Sequence, residues 1–164
     1  MPLLLDTHTL LWCLMAPQRL THSTLTELKN RNNQVLVSSA VIWEIAIKRA
    51  MGKLQAPSDL LDVVQKSGFS FLPILENHAL ATERLPMIHK DPFDRMLIAQ
   101  AIVENATIVT RDANIPLYGV PCILPSDIDL PLLLGCEKPV HGNAIPSSPY
   151  PSPRITREKR PSKD

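Results

Sequence analysis

Four acidic residues fall where an unpaired carboxylate is costly. Asp6 follows the apolar run Leu3-Leu4-Leu5, and Glu44 interrupts Ala40-Val41-Ile42-Trp43 and Ile45-Ala46-Ile47. Asp94 opens the helix-like Phe93–Ala101, and Asp112 comes just after Thr107-Ile108-Val109-Thr110. Each sits at the end of a buried-looking strand or on a core-type helix, where a lone charge loses its hydration. Several such carboxylates meeting at one place would repel one another unless a divalent cation held them together. An all-oxygen donor set favours Mg²⁺ or Mn²⁺ over zinc. A metal site is therefore the leading chemistry.

Each acid also has an ordinary explanation. Glu44 and Lys48 are one helical turn apart, which suits an intrahelical ion pair as well as an inward ligand with Lys48 steadying it or meeting a phosphate. Asp91 precedes Pro92 and reads as a helix cap. Asp94 lies in the same first turn, where acids are favoured by the helix dipole, and Asp112 fits a turn. The set is more specific than its members. Competing chemistries lack their parts: there is no GxxxxGK[ST] loop, GxGxxG fingerprint or GxSxG elbow. His8, His22, His78, His89 and His141 show no HExxH or zinc-type pairing. An aspartyl-phosphate phosphatase would want an acid two residues after Asp6, where His8 stands.

The elements that must position these acids alternate. Leu3–Leu5, Val35–Ser38 and Thr107–Val109 read as buried strands, with weaker strands at 69–74 and 120–124. Helices are expected at 7–16, 21–31, 40–51, 58–66 with Ser58 as its cap, 76–85 and 92–105, with Gly52 and Gly68 as left-handed stops. Strands alternating with helices imply an α/β fold, a central parallel sheet of about four to five short strands flanked by helices. Ligands in such sheets bind beyond the carboxyl ends of the strands, which is where Asp6 and Asp112 fall. Glu44 and Asp94 lie on helices that begin near the same edge.

The 164 residues suffice for one domain. Residues 1–124 form that domain, and 125–164 a proline-rich, largely disordered tail with a basic end, holding eight of the sixteen prolines. Leu130–Leu134 is the part of it suited to docking on the domain. A net charge of +1 gives no global case for nucleic-acid binding, so any such grip must be local. Cys13, Cys122 and Cys136 have no paired spacing and suit a reducing compartment. The apolar runs fall short of a membrane span and no signal-like leader opens the sequence, so a cytoplasmic location without membrane attachment is expected.

Leu4-Leu5-Asp6-Thr7-His8, Val37-Ser38 with Trp43-Glu44-Ile45-Ala46-Ile47-Lys48, His89–Ala101, Val109–Asp112 and Tyr118-Gly119-Val120 together resemble a PIN-domain ribonuclease, nearest to the VapC-type toxins of toxin–antitoxin pairs. The resemblance is ordered, spans about residues 2–124, and does not cover the tail. It implies a Mg²⁺- or Mn²⁺-dependent RNA endonuclease, usually a homodimer, inhibited by a small antitoxin. Its acid quartet corresponds to Asp6, Glu44, Asp94 and Asp112, and Thr110 matches a position that helps hold the last acid. Asp6 and Asp94 are expected in the inner shell of the metal, with Glu44 and Asp112 bound directly or through water. Thr7 and Thr110 would support them, and Lys48, Arg95 and Arg111 are candidates for phosphate contact. RNA as substrate comes from the resemblance; the acids do not decide it. The other readings are a catalytically inactive PIN-like module binding RNA or protein, and a partner-binding protein using helices 7–16 and 21–31.

Overall fold

A computed structural model describes residues 1–125. Five strands make one fully parallel sheet: β1 (Pro2–Leu5), β2 (Gln34–Ser38), β3 (Ser70–Leu72), β4 (Thr107–Val109) and β5 (Cys122–Ile123), in the order β3-β2-β1-β4-β5. The central strand is the most apolar one, and Leu3, Leu4 and Leu5 are fully buried. That is the expected signature of a strand covered by helices on both faces. Among the described residues, six helices do the covering: α1 (Thr7–Met15), α2 (His22–Lys29), α3 (Ser39–Ala50), α4 (Leu60–Lys66), α5 (Glu76–Ala81) and α6 (Pro92–Glu104).

The register gathers the strand ends. Leu5 pairs with Val37 on one side and Val109 on the other, so Asp6, Ser38 and Thr110 leave the sheet side by side. Two helices then start at this edge under specific caps. Asp6 accepts a hydrogen bond from the Thr9 N–H at 2.6 Å to open α1, and Ser38 accepts one from the Ala40 N–H at 2.9 Å to open α3. Helix α6 is tied to the same edge from within. Its fully buried Gln100 accepts a bond from the Ser38 hydroxyl at 2.6 Å and donates to the Pro73 carbonyl at 3.1 Å. An unpaired amide at this depth would be destabilising, so the three-way bond fixes how α6 lies across β2 and the end of β3.

Several element ends differ from the sequence expectation. The helix expected at 58–66 starts at Leu60, and Asp59 rather than Ser58 occupies its cap position, without a side-chain bond. The strand expected at 69–74 is only Ser70–Leu72, stopped by Pro73, which has no N–H to give the ladder. The helix expected at 76–85 divides into α5 and a tight 3₁₀ turn at Thr82–Arg84, and a further 3₁₀ turn at Ile115–Tyr118 was not foreseen. Gly52 and Gly68 do adopt positive φ, 66° and 78°, where a side chain would be strained. The expected tail lies outside the described residues, apart from Pro125. That residue is buried, and its carbonyl accepts a 2.8 Å bond from the Thr21 N–H.

Candidate metal centre

At the carboxyl edge of the sheet the candidate side chains fall into two groups. The first is closed. Asp6 is buried, its backbone N–H donating to the Val109 carbonyl at 3.2 Å and its carboxylate capping α1. Glu44 is buried on the inner face of α3, where the Thr7 hydroxyl donates to one carboxylate oxygen and the Lys48 ammonium to the other. This hydrogen bond holds the Lys48 pKa above its ordinary value. The ion pair at one-turn spacing is thus present, but its acid faces inward. The ion pair expected as the ordinary explanation of Glu44 and Lys48 is thus formed on a buried acid.

The second group is open. His89, Asp94 and Asp112 bring potential ligand atoms within 4.8 Å of one another, and all three are only half-buried. The His89 Nε2 lies 2.9 Å from Asp112 Oδ2 and 3.3 Å from Asp94 Oδ2. Burial, then the neighbouring Asp91 carboxylate, push the Asp94 acid up to about 6, with Asp112 and Glu44 adding repulsion against the pull of His89. Asp112 moves the other way. Partial burial raises it, but the hydrogen bonds from His89 and from the Asn114 N–H at 2.7 Å outweigh that and lower it. On His89, burial lowers the pKa, yet the bond to Asp112 and the fields of Asp94, Asp112 and Asp91 raise it overall.

The supporting residues show how the chain builds this half. Asp91 caps α6, accepting from the Phe93 and Asp94 N–H groups at 2.8 and 3.3 Å, with Pro92 at the first helical position. That cap sets the direction of Asp94. The Thr110 hydroxyl accepts from the Asp112 N–H at 3.0 Å and so shapes the turn that carries Asp112. Arg95, expected as a phosphate contact, is engaged elsewhere. Its guanidinium donates to the carbonyls of Thr82, Leu85, Pro86 and His89, clamping the loop before α6. Arg111 lies 5.4 Å from the Trp12 ring centre with its side chain exposed.

His89 is the site residue that sequence reasoning missed. A lone histidine in a loop carries no periodic signal and no ligand spacing. The available clue was its place two residues before the Asp91-Pro92 cap, from which it reaches over the first turn of α6.

A PIN-domain sequence model matches residues 3–120. The chain belongs to the PIN-domain family. No curated protein sequence is significantly similar to it. Solved structures of similar fold include VapBC2 from Rickettsia felis bound to a DNA fragment from its promoter, at a TM-score of 0.58 and 18% identity, covering 75% of this chain and 98% of that one. FitAcB from Neisseria gonorrhoeae aligns at a TM-score of 0.51 and 18% identity over 75% of this chain and 97% of its own. VapBC-1 from nontypeable Haemophilus influenzae aligns at 0.51 and 15% over the same shares. At these identities the likeness concerns the fold. No helix among the described residues of this PIN domain is long and apolar enough to cross a membrane.

The donors of the PIN domain fit a hard divalent cation. Asp94 and Asp112 present carboxylates to a common space, and burial together with the nearby Asp91 makes the charged form of Asp94 costly there. In the closed group the Glu44 carboxylate already has Lys48 as its partner.

Proposed function

We propose that this PIN domain is a Mg²⁺- or Mn²⁺-dependent RNA endonuclease, the toxin of a toxin–antitoxin pair, acting through Asp6, Glu44, Asp94 and Asp112. The observation that carries this reading is the convergence of Asp94 and Asp112 at the carboxyl edge of a PIN-family sheet. The resemblance to VapC-type toxins and the likeness to VapBC structures support a small antitoxin as partner, and the resemblance implies a homodimer as the working assembly.

A divalent ion held by Asp94 and Asp112, with Asp6 and Glu44 completing its surroundings, would lower the pKa of a water and neutralise charge on the scissile phosphate. The chain's own groups supply the rest. Thr7 and Lys48 hold the two oxygens of the buried Glu44 carboxylate in place. Thr110 and the Asn114 N–H hold Asp112 in its turn, which restricts the directions its oxygens can take. Arg111, exposed beside Asp112, is the cation best placed to meet a neighbouring phosphate of the RNA. With eleven charges of each sign in residues 1–124, binding has to be local to this edge.

The test uses the purified full chain and a labelled RNA. Cleavage is expected with Mg²⁺ or Mn²⁺, none with chelator, and little from Asp6→Asn or Asp94→Asn. Equal degradation by wild type and both variants would remove the site. Binding of RNA without cleavage under either metal would instead favour an inactive binding module. One observation leans that way, since both Glu44 oxygens already have internal partners.

A further inference from the structure

His89 occupies the space between the two open carboxylates, yet its hydrogen bonding prevents it from serving there as a ligand. Its position is set from three sides. The backbone N–H donates to the Tyr118 hydroxyl at 2.6 Å, the carbonyl accepts from Arg95 at 3.4 Å, and the ring Nδ1 accepts from the Asp91 N–H at 3.3 Å. Since Nδ1 is the acceptor, the proton of the neutral ring is on Nε2. A nitrogen that bears a hydrogen has no lone pair in the ring plane to offer a cation. What it presents instead is an N–H directed at Asp112 Oδ2 and Asp94 Oδ2, 2.9 and 3.3 Å away.

An ion shared by the same two oxygens would sit about 2.0–2.1 Å from each if it were Mg²⁺. It would then lie against the Nε2–H, and the positive end of that bond repels it. The ring and the ion compete for one place. We propose that His89 is a positioning residue that holds Asp94 and Asp112 converged in the metal-free protein and yields them to the ion, turning away as the ion enters. This rests on reading those two acids as cation ligands.

The placeholder role and a ligand role predict opposite results. Mn²⁺ binding to the full chain would be followed by electron paramagnetic resonance at about pH 8.5, where an ordinary imidazole is neutral. His89→Ala should bind Mn²⁺ about tenfold more tightly, the order expected when one charge-assisted hydrogen bond no longer has to be displaced. His89→Gln, whose amide restores an N–H, should bind like wild type, a rescue that a purely structural role would not produce. In wild type, Mg²⁺ should move the His89 ring ¹⁵N resonances as the bond to Asp112 breaks, and bound Mn²⁺ should show no imidazole nitrogen coupling. Weaker or unchanged binding by His89→Ala, or a clear nitrogen coupling, would overturn the proposal while leaving the metal centre standing. Absence of saturable Mn²⁺ binding in wild type, with Asp94→Asn indistinguishable from it, would overturn both.

Discussion

The two halves of this site use the same residue type to different ends. On the side of β1 and α3, Asp6 and Glu44 are buried and internally satisfied, by a helix N-terminus in one case and by Thr7 and Lys48 in the other. On the side of α6 and β4, Asp94 and Asp112 are only half-buried, and the His89 Nε2 lies 3.3 and 2.9 Å from their oxygens. A satisfied buried carboxylate holds structure together, whereas a crowded one stores a demand for positive charge. Substitutions in the closed half should therefore change stability whether or not metal is present. Those in the open half should change the response to metal.

The largest effect is expected from Asp94→Asn. Metal-dependent RNA cleavage should fall by about 100-fold or more. The melting temperature of the chelated protein should not fall, because a repelled charge has been removed. Retained cleavage, or a clear loss of stability, would erase the distinction between the halves. Next is Thr7→Val, which leaves a buried Glu44 oxygen without its donor. A loss of about 1–3 kcal/mol in denaturant unfolding is expected, the same with and without Mg²⁺.

The pH dependence of the metal-free protein sharpens the same contrast. Asp94 has a folded pKa of about 6, above its ordinary 3.8, so the folded state binds its proton more tightly than the unfolded chain does. Its contribution is therefore lost as pH rises from about 4 through 6. His89 is also raised, from 6.5, so its stabilisation is present below that value and is lost as pH rises through the folded pKa. Asp112 is lowered, and acts in the opposite sense only in more acid solution, below 3.8. Thermal melts in chelator should show stability falling from about pH 5 to about pH 8. Mg²⁺ should reduce the fall, and should do so less in Asp94→Asn. The smallest effect belongs to Arg111→Ala, which removes the contact with Trp12. About 0.5–1 kcal/mol or less is expected in unfolding, with a larger change in the salt dependence of RNA binding.

Much of this arrangement was legible in the sequence where local chemistry acts alone. The apolar run at Leu3–Leu5, the Asp91-Pro92 start of α6 and the glycine stops at Gly52 and Gly68 depend on neighbours in the chain, and each stands as expected. Asn105 ends α6 in the left-handed conformation at φ 52°, one residue past the last helical turn. The strand order was not legible, because the pairings join residues from 14 to 104 positions apart, and a single sequence does not say which strands become neighbours. Arg95 and His89 show the same limit at the site. A basic residue in a first helical turn looks the same whether it faces phosphate or loop carbonyls, and only the folded path of residues 82–89 decides. The four acids drew attention because carboxylates are conspicuous among apolar residues, whereas a single imidazole in a loop is not.

Anomalous diffraction from crystals of the full chain soaked in Mn²⁺ tests the central claim most directly. A single strong peak within bonding distance of Asp94 and Asp112, with the His89 ring turned away, is the predicted result. No peak there, or one confined to the surface with His89 still bridging both carboxylates, would contradict the assignment of the open half as a metal centre.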